Sequence, residues 1–494
     1  MKLKHNVDFI KKDTVAIFVK VEKEQPKVCT FDKEYIDLFN SMVKDKYYTI
    51  STPFAFAFSK NTRVIYITYK EVKNYMYETW KCAGASLIKI MKDLHISDIE
   101  VDMAELFAEI GSMESYEQFC LGMLLASYSF NNYFGEKRLK DKTEIKNILL
   151  VSEHKKDTEN AIARASQIAE NIFWTRDMVN EPSNIINSLT FIERAKKVSE
   201  KKKITVSILD EKQLKAQNMN GILGVNAGSK NPPRLFIAQY KNSKAQKNIV
   251  LVGKGITFDT GGMSLKPSDS MLGMKDDMAG AAAVCGALFL IADRGLKANV
   301  TAICPLTDNK TGSGAINPGD ILKMHNGVTV EVVNTDAEGR LILADALSYG
   351  IKKYKPDYII DIATLTGACS IALGKYATGL LSTDEKLADI IKDAGNDTYE
   401  RVWELPLFEE YKEAIKSDVA DIKNTGGREA GTIQAAQFLS YFTEGSKWAH
   451  LDIACTSYSN VTEKYTSKGA TGVGVYLLAK TVEKIAEKIG RAHV

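Results

Sequence analysis

Residues 248–262, NIVLVGKGITFDTGG, contain the pattern that decides the fold: an apolar run that ends in a glycine-rich turn. The run at 248–253 predicts a strand whose two faces are both buried. A helix-like stretch at 278–293 and another apolar run at 299–305 follow it. A strand, a helix and a second strand in this order predict a parallel or mixed sheet covered by helices.

The same alternation of strands and helices runs along the rest of the chain, including its first third. Further strands are predicted at 14–21, 63–69, 146–152, 234–240, 328–333, 357–364 and 448–453. Further helices are predicted at 74–94, 116–133, 157–177, 341–349, 385–394 and 432–442. The expected fold class is therefore α/β, with two domains that each contain a mixed sheet flanked by helices.

The length of 494 residues predicts at least two domains. The long helix ends near Pro182, which disfavours a helical conformation at the residue before it. We therefore predict an N-terminal α/β domain at 1–155, a linking helix at 156–180 and a second domain at 181–494. The second domain contains the residues that suggest chemistry.

The composition is that of an ordinary globular protein, with 45% hydrophobic and 26% charged residues and a net charge of +3. Basic residues are spread along the chain, and the densest run, at 201–203, is interpreted as a solvated turn, so we expect no nucleic-acid partner. We also expect no signal peptide and no membrane span, since no apolar stretch has the length of either. Seven cysteines without a CxxC pair indicate reduced thiols and a cytoplasmic protein.

Acidic residues follow two of the predicted strands. Asp259 ends the glycine-rich segment, Asp277 precedes the helix at 278–293, and Asp336 and Glu338 follow the strand at 328–333. Two residues apart in an extended stretch, Asp336 and Glu338 would point to the same side. Taken singly, each acid has a structural interpretation, such as a helix N-cap for Asp277. Together they favour a functional role more strongly than any one of them does alone. The glycine-rich turn matches neither GxxxxGK[ST] nor GxGxxG, so it is not a recognised phosphate loop.

With these glycine-rich and acidic segments, the chain resembles the leucyl aminopeptidase family, the M17-type cytosolic aminopeptidases. The resemblance covers roughly residues 145–485. It rests on these segments: 334–341 (NTDAEGRL), 253–259 (GKGITFD), 266–267 (KP), 179–182 (VNEP), 318–320 (PGD), 363–368 (ATLTGA), 426–431 (GGREAG) and 448–454 (WAHLDIA). The first 140 residues contain no recognised motif, as is typical of the family's variable N-terminal domain, for which we expect a role in oligomerisation or regulation.

The resemblance implies a metal-dependent aminopeptidase that hydrolyses N-terminal residues from peptides by means of a water activated by two metal ions. Asp259 and Glu338 would bridge the two ions, Asp336 would complete one site, and Lys254 and Asp277 would complete the other. Ligands without thiolate or imidazole suit Zn²⁺, Mn²⁺ or Co²⁺, with Mg²⁺ as a further candidate. Lys254 would have to lose its proton to bind a metal.

The resemblance also implies roles for residues around the metals. Lys266 would stabilise the gem-diolate, and Arg340 would hold a bicarbonate ion that acts as general base. Met274, Thr364 and Gly367 would line an apolar pocket that prefers leucine and other apolar side chains. Family members form hexamers, so we expect a homo-hexamer.

Three positions depart from the family pattern: Ala279, Asp308 and Cys455. None is an implied ligand, so they bear on local packing and not on activity. His450 lies in an apolar strand and is interpreted as a core histidine.

The sequence gives less support to other functions. A DNA-binding or chaperone-like protein would act without catalysis, but the near-neutral charge gives no support to DNA binding. A two-metal phosphoesterase usually has histidine ligands, and no histidine lies near the acidic residues in sequence. HExxH and GxSxG motifs are also absent, which disfavours other metallopeptidases and serine hydrolases.

Overall fold

The computed structural model describes residues 1–10 and 13–490 of the chain. The chain forms two compact units. The first comprises residues 1–170 together with 461–467, and the second comprises residues 171–460 together with the segment from 468 onward. The expected linking role of residues 156–180 stays a prediction.

The first unit contains a mixed sheet of seven strands in the order β1-β7-β6-β2-β5-β4, with β3 paired to β2. Its strands are β1 (Lys2–Asn6), β2 (Thr14–Glu22), β3 (Gln25–Val28), β4 (Phe54–Ser59), β5 (Thr62–Tyr69), β6 (Asp98–Asp102) and β7 (Asn147–Val151). Its helices are α1 (Lys33–Lys44), α2 (Met76–Asp93), α3 (Leu106–Ile110), α4 (Met113–Ser127) and α5 (Glu136–Lys140). Helix α6 (Lys155–Asn180) begins in the first unit and ends in the second.

Strand β2 lies inside this sheet, between β5 and β6, and its residues from Val15 to Val19 are fully buried. Val15, Ile17 and Val19 pack against Tyr35 and Phe39 of α1. A strand that is covered on both faces needs a continuous apolar run, which is the pattern of this segment.

The short segment 461–467 belongs to the first unit through contacts with a buried acid of α2. Glu78 is fully buried, and its carboxylate accepts hydrogen bonds from Lys464 Nζ at 3.0 Å and from Tyr465 Oη at 2.8 Å. Lys81 Nζ lies 3.6 Å from the same carboxylate. The two ammonium groups and the hydroxyl compensate the buried charge.

The second unit contains the larger sheet and two small ones. Its strands are β8 (Thr205–Leu209), β9 (Arg234–Tyr240), β10 (Asn248–Gly253), β11 (Gly255–Asp259), β12 (Asn299–Asn309), β13 (Ile321–Lys323), β14 (Thr329–Glu331), β15 (Tyr358–Ala363), β16 (Thr378–Ser382), β17 (Val402–Glu404), β18 (Ile422–Lys423), β19 (Trp448–Asp452), β20 (Tyr458–Ser459) and β21 (Gly469–Ala470). Its helices are α7 (Ser188–Lys201), α8 (Glu211–Ala216), α9 (Asn220–Asn226), α10 (Ser268–Met271), α11 (Ala279–Arg294), α12 (Glu338–Tyr354), α13 (Gly367–Leu373), α14 (Glu385–Thr398), α15 (Gly431–Ser440) and α16 (Val475–Gly490), with 3₁₀ segments at Met274–Asp276 and Glu409–Ile415.

The large sheet has the order β17-β16-β19-β15-β10-β12-β9-β8, with β11 paired to β12. Its four central strands, β19, β15, β10 and β12, are parallel. Strand β9 is antiparallel to both of its neighbours, and β16 is antiparallel to β19 but parallel to β17. Val250 and Val252 of β10 join the apolar core that includes Leu343 and Leu347 of α12, and α11 also contacts β10. The predicted fold class is confirmed in both units.

Strand β14 is shorter than the predicted strand at 328–333. The chain leaves the ladder after Glu331, and the backbone N–H groups of Val333 and Asn334 donate to the side chain of Asn424 instead of to another strand. This irregular segment precedes the acidic residues of the site. None of the helices in the described ranges combines the length and the apolar character that a membrane-spanning helix needs.

Candidate active site

The candidate site lies where the parallel strands of the large sheet end. Lys254 follows β10, Asp259 is the last residue of β11, and Thr364 follows β15. Asp336 lies in the turn before α12, and Glu338 is the first residue of that helix. Because β10, β12 and β15 are parallel, their carboxyl ends meet at one edge, where ligands commonly bind in open α/β sheets.

Three carboxylates converge at this edge. Asp259, Asp336 and Glu338 each place an oxygen within 4.8 Å of the others. Asp277 extends the cluster, because Lys254 Nζ lies 2.7 Å from Asp277 Oδ1 and 2.9 Å from Glu338 Oε1. Four acids from three separate segments therefore form one group, which we name the acidic cluster.

The convergence of Asp336 and Glu338 has a different cause from the one expected. The prediction that they lie in an extended stretch was wrong, since Asp336 occupies a turn and Glu338 begins a helix. The N-cap interpretation of Asp277 is also excluded: Met278 occupies the cap position of α11, and no side chain caps that helix. The carboxylate of Asp277 accepts hydrogen bonds from Lys254 and Thr364 instead.

Two lysines lie among the acids. Lys266 Nζ is 2.8 Å from Asp259 Oδ2 and 2.5 Å from Asp336 Oδ1, which complements the pairing of Lys254 with Asp277 and Glu338. Burial by itself would lower the pKa of Lys254, but the attraction of the surrounding carboxylates outweighs it and raises the pKa. The same balance raises the pKa of Lys266.

The acidic cluster contains more acids than bases. Full ionisation of its four carboxylates beside two ammonium groups would give it a net charge of −2. Burial, together with repulsion between neighbouring carboxylates, raises the pKa of Asp277, Asp336 and Glu338. A cation placed among these groups would relieve the repulsion.

Two oxygens of the cluster point to a missing partner. Asp277 Oδ2 and Glu338 Oε2 are buried, and no donor among the described residues reaches either of them. A buried carboxylate oxygen without a partner is unfavourable. Asp259, by contrast, is oriented by the backbone N–H of Gly261 and the amide of Asn309, each at 2.8 Å from its Oδ1. Oxygen donors with one amine nitrogen suit divalent cations, so the residues present fit a metal centre.

Arg340 lies in the first turn of α12 and is buried. Its Nη1 donates to the carbonyl oxygen of Asn424 at 2.7 Å, and within the described ranges its Nε has no hydrogen-bond partner. Burial lowers the pKa of Arg340 to about 10, although the negative charges of Glu338 and Asp452 act in the opposite direction. The guanidinium therefore stays charged at neutral pH and retains an unused donor.

The three expected pocket residues lie in different surroundings. The carbonyl oxygen of Thr364 accepts from Lys254 Nζ at 2.9 Å, and its hydroxyl donates to Asp277 Oδ1 at 2.8 Å. Met274 lies in the 3₁₀ segment just before Asp277. Gly367 begins α13, and the space that a side chain would take there is open. The structure thus places Thr364 in contact with the acidic cluster and gives no direct contact that joins the three residues.

Sequence reasoning missed residues that hold the site in place. Asp452, the last residue of β19, is fully buried and accepts from Thr366 Oγ1 at 2.6 Å and from the backbone N–H of Leu365 at 3.2 Å. It therefore fixes the loop that carries Thr364. The sequence feature that could have indicated this role of Asp452 is its position in an otherwise apolar strand, two residues after His450. His450 itself is a core histidine as expected, fully buried with its Nδ1 2.6 Å from Asp361 Oδ1.

The positions that depart from the family pattern are part of local packing. Asp308 is buried and accepts hydrogen bonds from Thr257, Ser229 and Asn231. Cys455 lies with its Sγ 3.6 Å from Cys369 Sγ, at the base of α13.

Comparisons with known proteins agree on one family. Residues 173–479 match the model of the Peptidase M17 family, described as "Cytosol aminopeptidase family, catalytic domain". A "Probable cytosol aminopeptidase" of Geobacter sulfurreducens is 46% identical over 361 residues, which cover 73% of each chain. Another, from Chlorobium limicola, is 43% identical over 419 residues and covers 82% of this chain and 83% of the relative.

A solved structure extends the similarity to nearly the whole chain. The "Bottromycin maturation enzyme BotP in complex with Mn" superposes with a TM-score of 0.84 and 28% sequence identity, covering 96% of this chain and 100% of that one. The convergent acids, the family match and these relatives lead to one conclusion: the chain belongs to the cytosol aminopeptidase family, peptidase family M17, and is a metal-dependent aminopeptidase.

Proposed function

We propose that this aminopeptidase releases leucine and other apolar residues from the free N-terminus of peptides, with two divalent cations bound in the acidic cluster. The observation that carries the proposal is the pair of buried, unpartnered oxygens, Asp277 Oδ2 and Glu338 Oε2, among four converging acids. Zn²⁺, Mn²⁺ and Co²⁺ suit this donor set, and Mg²⁺ is a further candidate.

The acids fall into two adjacent pairs, which supports two cation positions. Asp277 and Glu338 share Lys254, whereas Asp259 and Asp336 share Lys266. We infer that Asp259 and Glu338 would be shared between the two cations, that Asp336 would help to hold one of them, and that Lys254 and Asp277 would help to hold the other.

Cations held by this cluster would polarise a carbonyl group and lower the pKa of a water molecule. The chain's own residues complete the chemistry. Lys254 would release its proton to solvent and offer the lone pair of its neutral amine as a ligand. Asp259 and Asp336 would then be engaged as ligands, which would free the ammonium group of Lys266 to donate to the oxyanion of the gem-diolate. Such a donor gains strength as negative charge develops on the scissile carbonyl oxygen.

Arg340 supplies the site of a bicarbonate ion that acts as general base. Its Nη1 is held by Asn424, so the direction of the planar guanidinium is fixed, and its unpartnered Nε can donate to an anion. A planar guanidinium matches the geometry of an oxyanion of this kind.

Specificity for the chain end and for apolar residues comes from two features. Asp277, beside Thr364, lies where a free α-amine would be bound, and an acylated amine has no lone pair to offer. Met274, Thr364 and Gly367 line the pocket for the first side chain. Methionine adapts its shape to different apolar groups.

The protein is further proposed to act as a cytoplasmic homo-hexamer in peptide turnover. The relatives carry the name cytosol aminopeptidase, and the exposed apolar side chains of the second unit offer contact surface for further copies.

A metal-resolved activity screen tests the proposal. Chelator-treated protein is titrated with Zn²⁺, Mn²⁺, Co²⁺ or Mg²⁺ and assayed on leucyl, other aminoacyl and N-acetyl-leucyl reporter peptides. We expect activity to vanish on chelation, to return with metal, to be highest on apolar residues, and to be absent on acetylated peptides. Glu338→Ala should bind less metal and lose turnover. Cleavage of acetylated and free peptides at similar rates, or full turnover by Glu338→Ala at saturating metal, would refute the proposal.

A further inference from the structure

Asn424 lies just after β18, about ninety residues from the segment that it binds. It is fully buried. Its Oδ1 accepts from the backbone N–H groups of Val333 at 2.9 Å and Asn334 at 3.3 Å. Its Nδ2 donates to the carbonyl oxygens of Asn334 at 2.7 Å and Ala337 at 3.4 Å. One side-chain amide thus satisfies four backbone groups of the segment that carries Asp336.

The backbone of Asn424 adds two more contacts to the same region. Its N–H donates to the carbonyl oxygen of Glu331 at 2.9 Å, and its carbonyl oxygen accepts from Arg340 Nη1 at 2.7 Å. The residue therefore touches the segment on both sides of Asp336 and Glu338.

We propose that Asn424 is a positioning residue, which holds segment 333–340 so that Asp336 and Glu338 face the other acids while the Arg340 guanidinium keeps its direction. The inference rests on the proposed role of these three residues. Segment 332–337 belongs to neither strand nor helix, so its backbone groups need partners from elsewhere.

Only a side chain that both accepts and donates hydrogen bonds can satisfy these backbone N–H groups and carbonyl oxygens. An aspartate would turn an acceptor oxygen toward the carbonyl oxygens of Asn334 and Ala337, and an alanine would leave four buried backbone groups unpaired. A serine keeps one donor and one acceptor. The series Ser, Ala and Asp therefore grades the loss of the contacts.

The test compares these three variants of Asn424 with Asn326→Ala. Asn326 is a matched control, because its Nδ2 donates to Tyr441 O at 3.1 Å and its Oδ1 accepts from Val328 N at 3.1 Å, so it also joins two distant segments. Mn²⁺ affinity is measured by competition with a chromophoric chelator, and kcat, KM and the unfolding temperature are measured beside it.

We expect Asn424→Ala to weaken Mn²⁺ binding by about 10–100-fold, the range typical when a residue that supports metal ligands is lost. Asn424→Ser should lie between it and the wild type. Asn424→Asp should also bind Mn²⁺ more weakly than the wild type, despite its added negative charge. In all three Asn424 variants, kcat at saturating Mn²⁺ should change by a larger factor than KM. Asn326→Ala should lose thermal stability and keep its Mn²⁺ affinity.

Mn²⁺ affinity within twofold of the wild type in Asn424→Ser and Asn424→Asp would overturn the inference, and so would equal losses of affinity in the Asn326 control. Should Asn424→Ala fail to fold, Asn424→Ser decides the question. A wild-type protein that binds no Mn²⁺ and needs none would refute the proposed function instead, so the two failures are distinguishable.

Discussion

Lys254 and Lys266 occupy similar places among the acids, yet their proposed roles require opposite protonation states. The carboxylates alone raise the pKa of both ammonium groups, so each keeps its proton while no cation is bound. A nearby dication reverses that preference for the lysine that becomes a ligand. Residue type and protonation state therefore leave the two roles undecided, although the lysines contact different acids: Lys254 contacts Asp277 and Glu338, and Lys266 contacts Asp259 and Asp336.

Replacement of Lys266 tests its role in the transition state. Lys266→Ala should lower kcat by roughly 10²–10³-fold, the loss typical for one oxyanion donor, and should change KM much less. Lys247→Ala is the control, because that lysine pairs with Asp357 at the opposite end of β10. Steady-state kinetics and metal content are measured for both variants. A Lys266→Ala protein that is metal-depleted or unfolded would assign the residue a structural role.

Asp345 in α12 predicts a pH dependence of stability that is independent of the acidic cluster. Burial raises its pKa to about 7, against the hydrogen bonds that it accepts from the backbone N–H groups of His325 and Ile222. Because the folded state holds this proton more tightly than the unfolded chain does, the stabilisation is complete below about pH 4 and is lost as the pH rises through 7.

The difference in unfolding free energy between wild type and Asp345→Asn should therefore fall by up to about 1.4 kcal/mol per pH unit between about pH 4 and pH 7. Urea unfolding at several pH values measures it. A difference that stays constant over this range would show that Asp345 is ionised in the folded state.

At the scale of elements, α12 begins in direct contact with the site. A methyl group added at Gly339 would meet the side chain of Lys254, with Nζ at 2.7 Å. Cε, Nζ and Cδ of Lys254 would all lie within 3.0 Å of this methyl group, so the buried lysine would be pushed away from Asp277 and Glu338. Gly339 thus allows the close approach of α12 to the Lys254 side chain.

Gly339→Ala should lower the unfolding temperature, because separating Lys254 from two buried carboxylates costs more than the up to about 1 kcal/mol that alanine gains over glycine in a helix, and it should lose metal affinity and most of the activity. Gly350→Ala in the same helix is the control. Its methyl group would meet the side chains of Ile303 and Val250 at 3.0 and 3.2 Å, and activity should persist. Calorimetry and metal titration distinguish the two variants. Equal activity of the Gly339→Ala and Gly350→Ala proteins would show that catalysis does not depend on the position of the Lys254 side chain.

The elements also show what a sequence can and cannot predict. Buried strands such as β10 and β15 are recognisable because each needs a local apolar run. The contacts of Asn424 and Asp452 join segments about ninety residues apart, and no local pattern marks which backbone groups a distant side chain will satisfy. The acids could be identified through a family motif. The turn that brings the carboxylates of Asp336 and Glu338 together could not be predicted from that motif.

At the scale of the whole molecule, the second unit exposes large apolar side chains that a lone chain would be expected to bury. Leu272, Ile371, Trp403 and Phe408 are each more than half exposed. Apolar patches on a surface are typical of subunit contacts, so we propose these four side chains as candidate contacts of the expected hexamer. The expected hexamer would cover at least part of this surface.

Light scattering on active protein at micromolar concentration should give a mass of about 330 kDa, six times the 54.7-kDa chain, as expected for closed symmetry. Charged substitutions at Ile371 and Trp403 should reduce the mass. A wild-type mass of one chain in a fully active sample would exclude the hexamer.

The placement of residues 461–467 in the first unit has a consequence for synthesis on the ribosome. Glu78 is translated early, but Lys464 follows 386 residues later. Until then its carboxylate lacks two of its donors, and a buried acid with fewer partners is less stable. Domains usually fold in the order in which they are made. Here the first-made unit gains these two donors only after residues 464 and 465 have been made, so we expect it to be less stable in the nascent chain until translation is nearly complete.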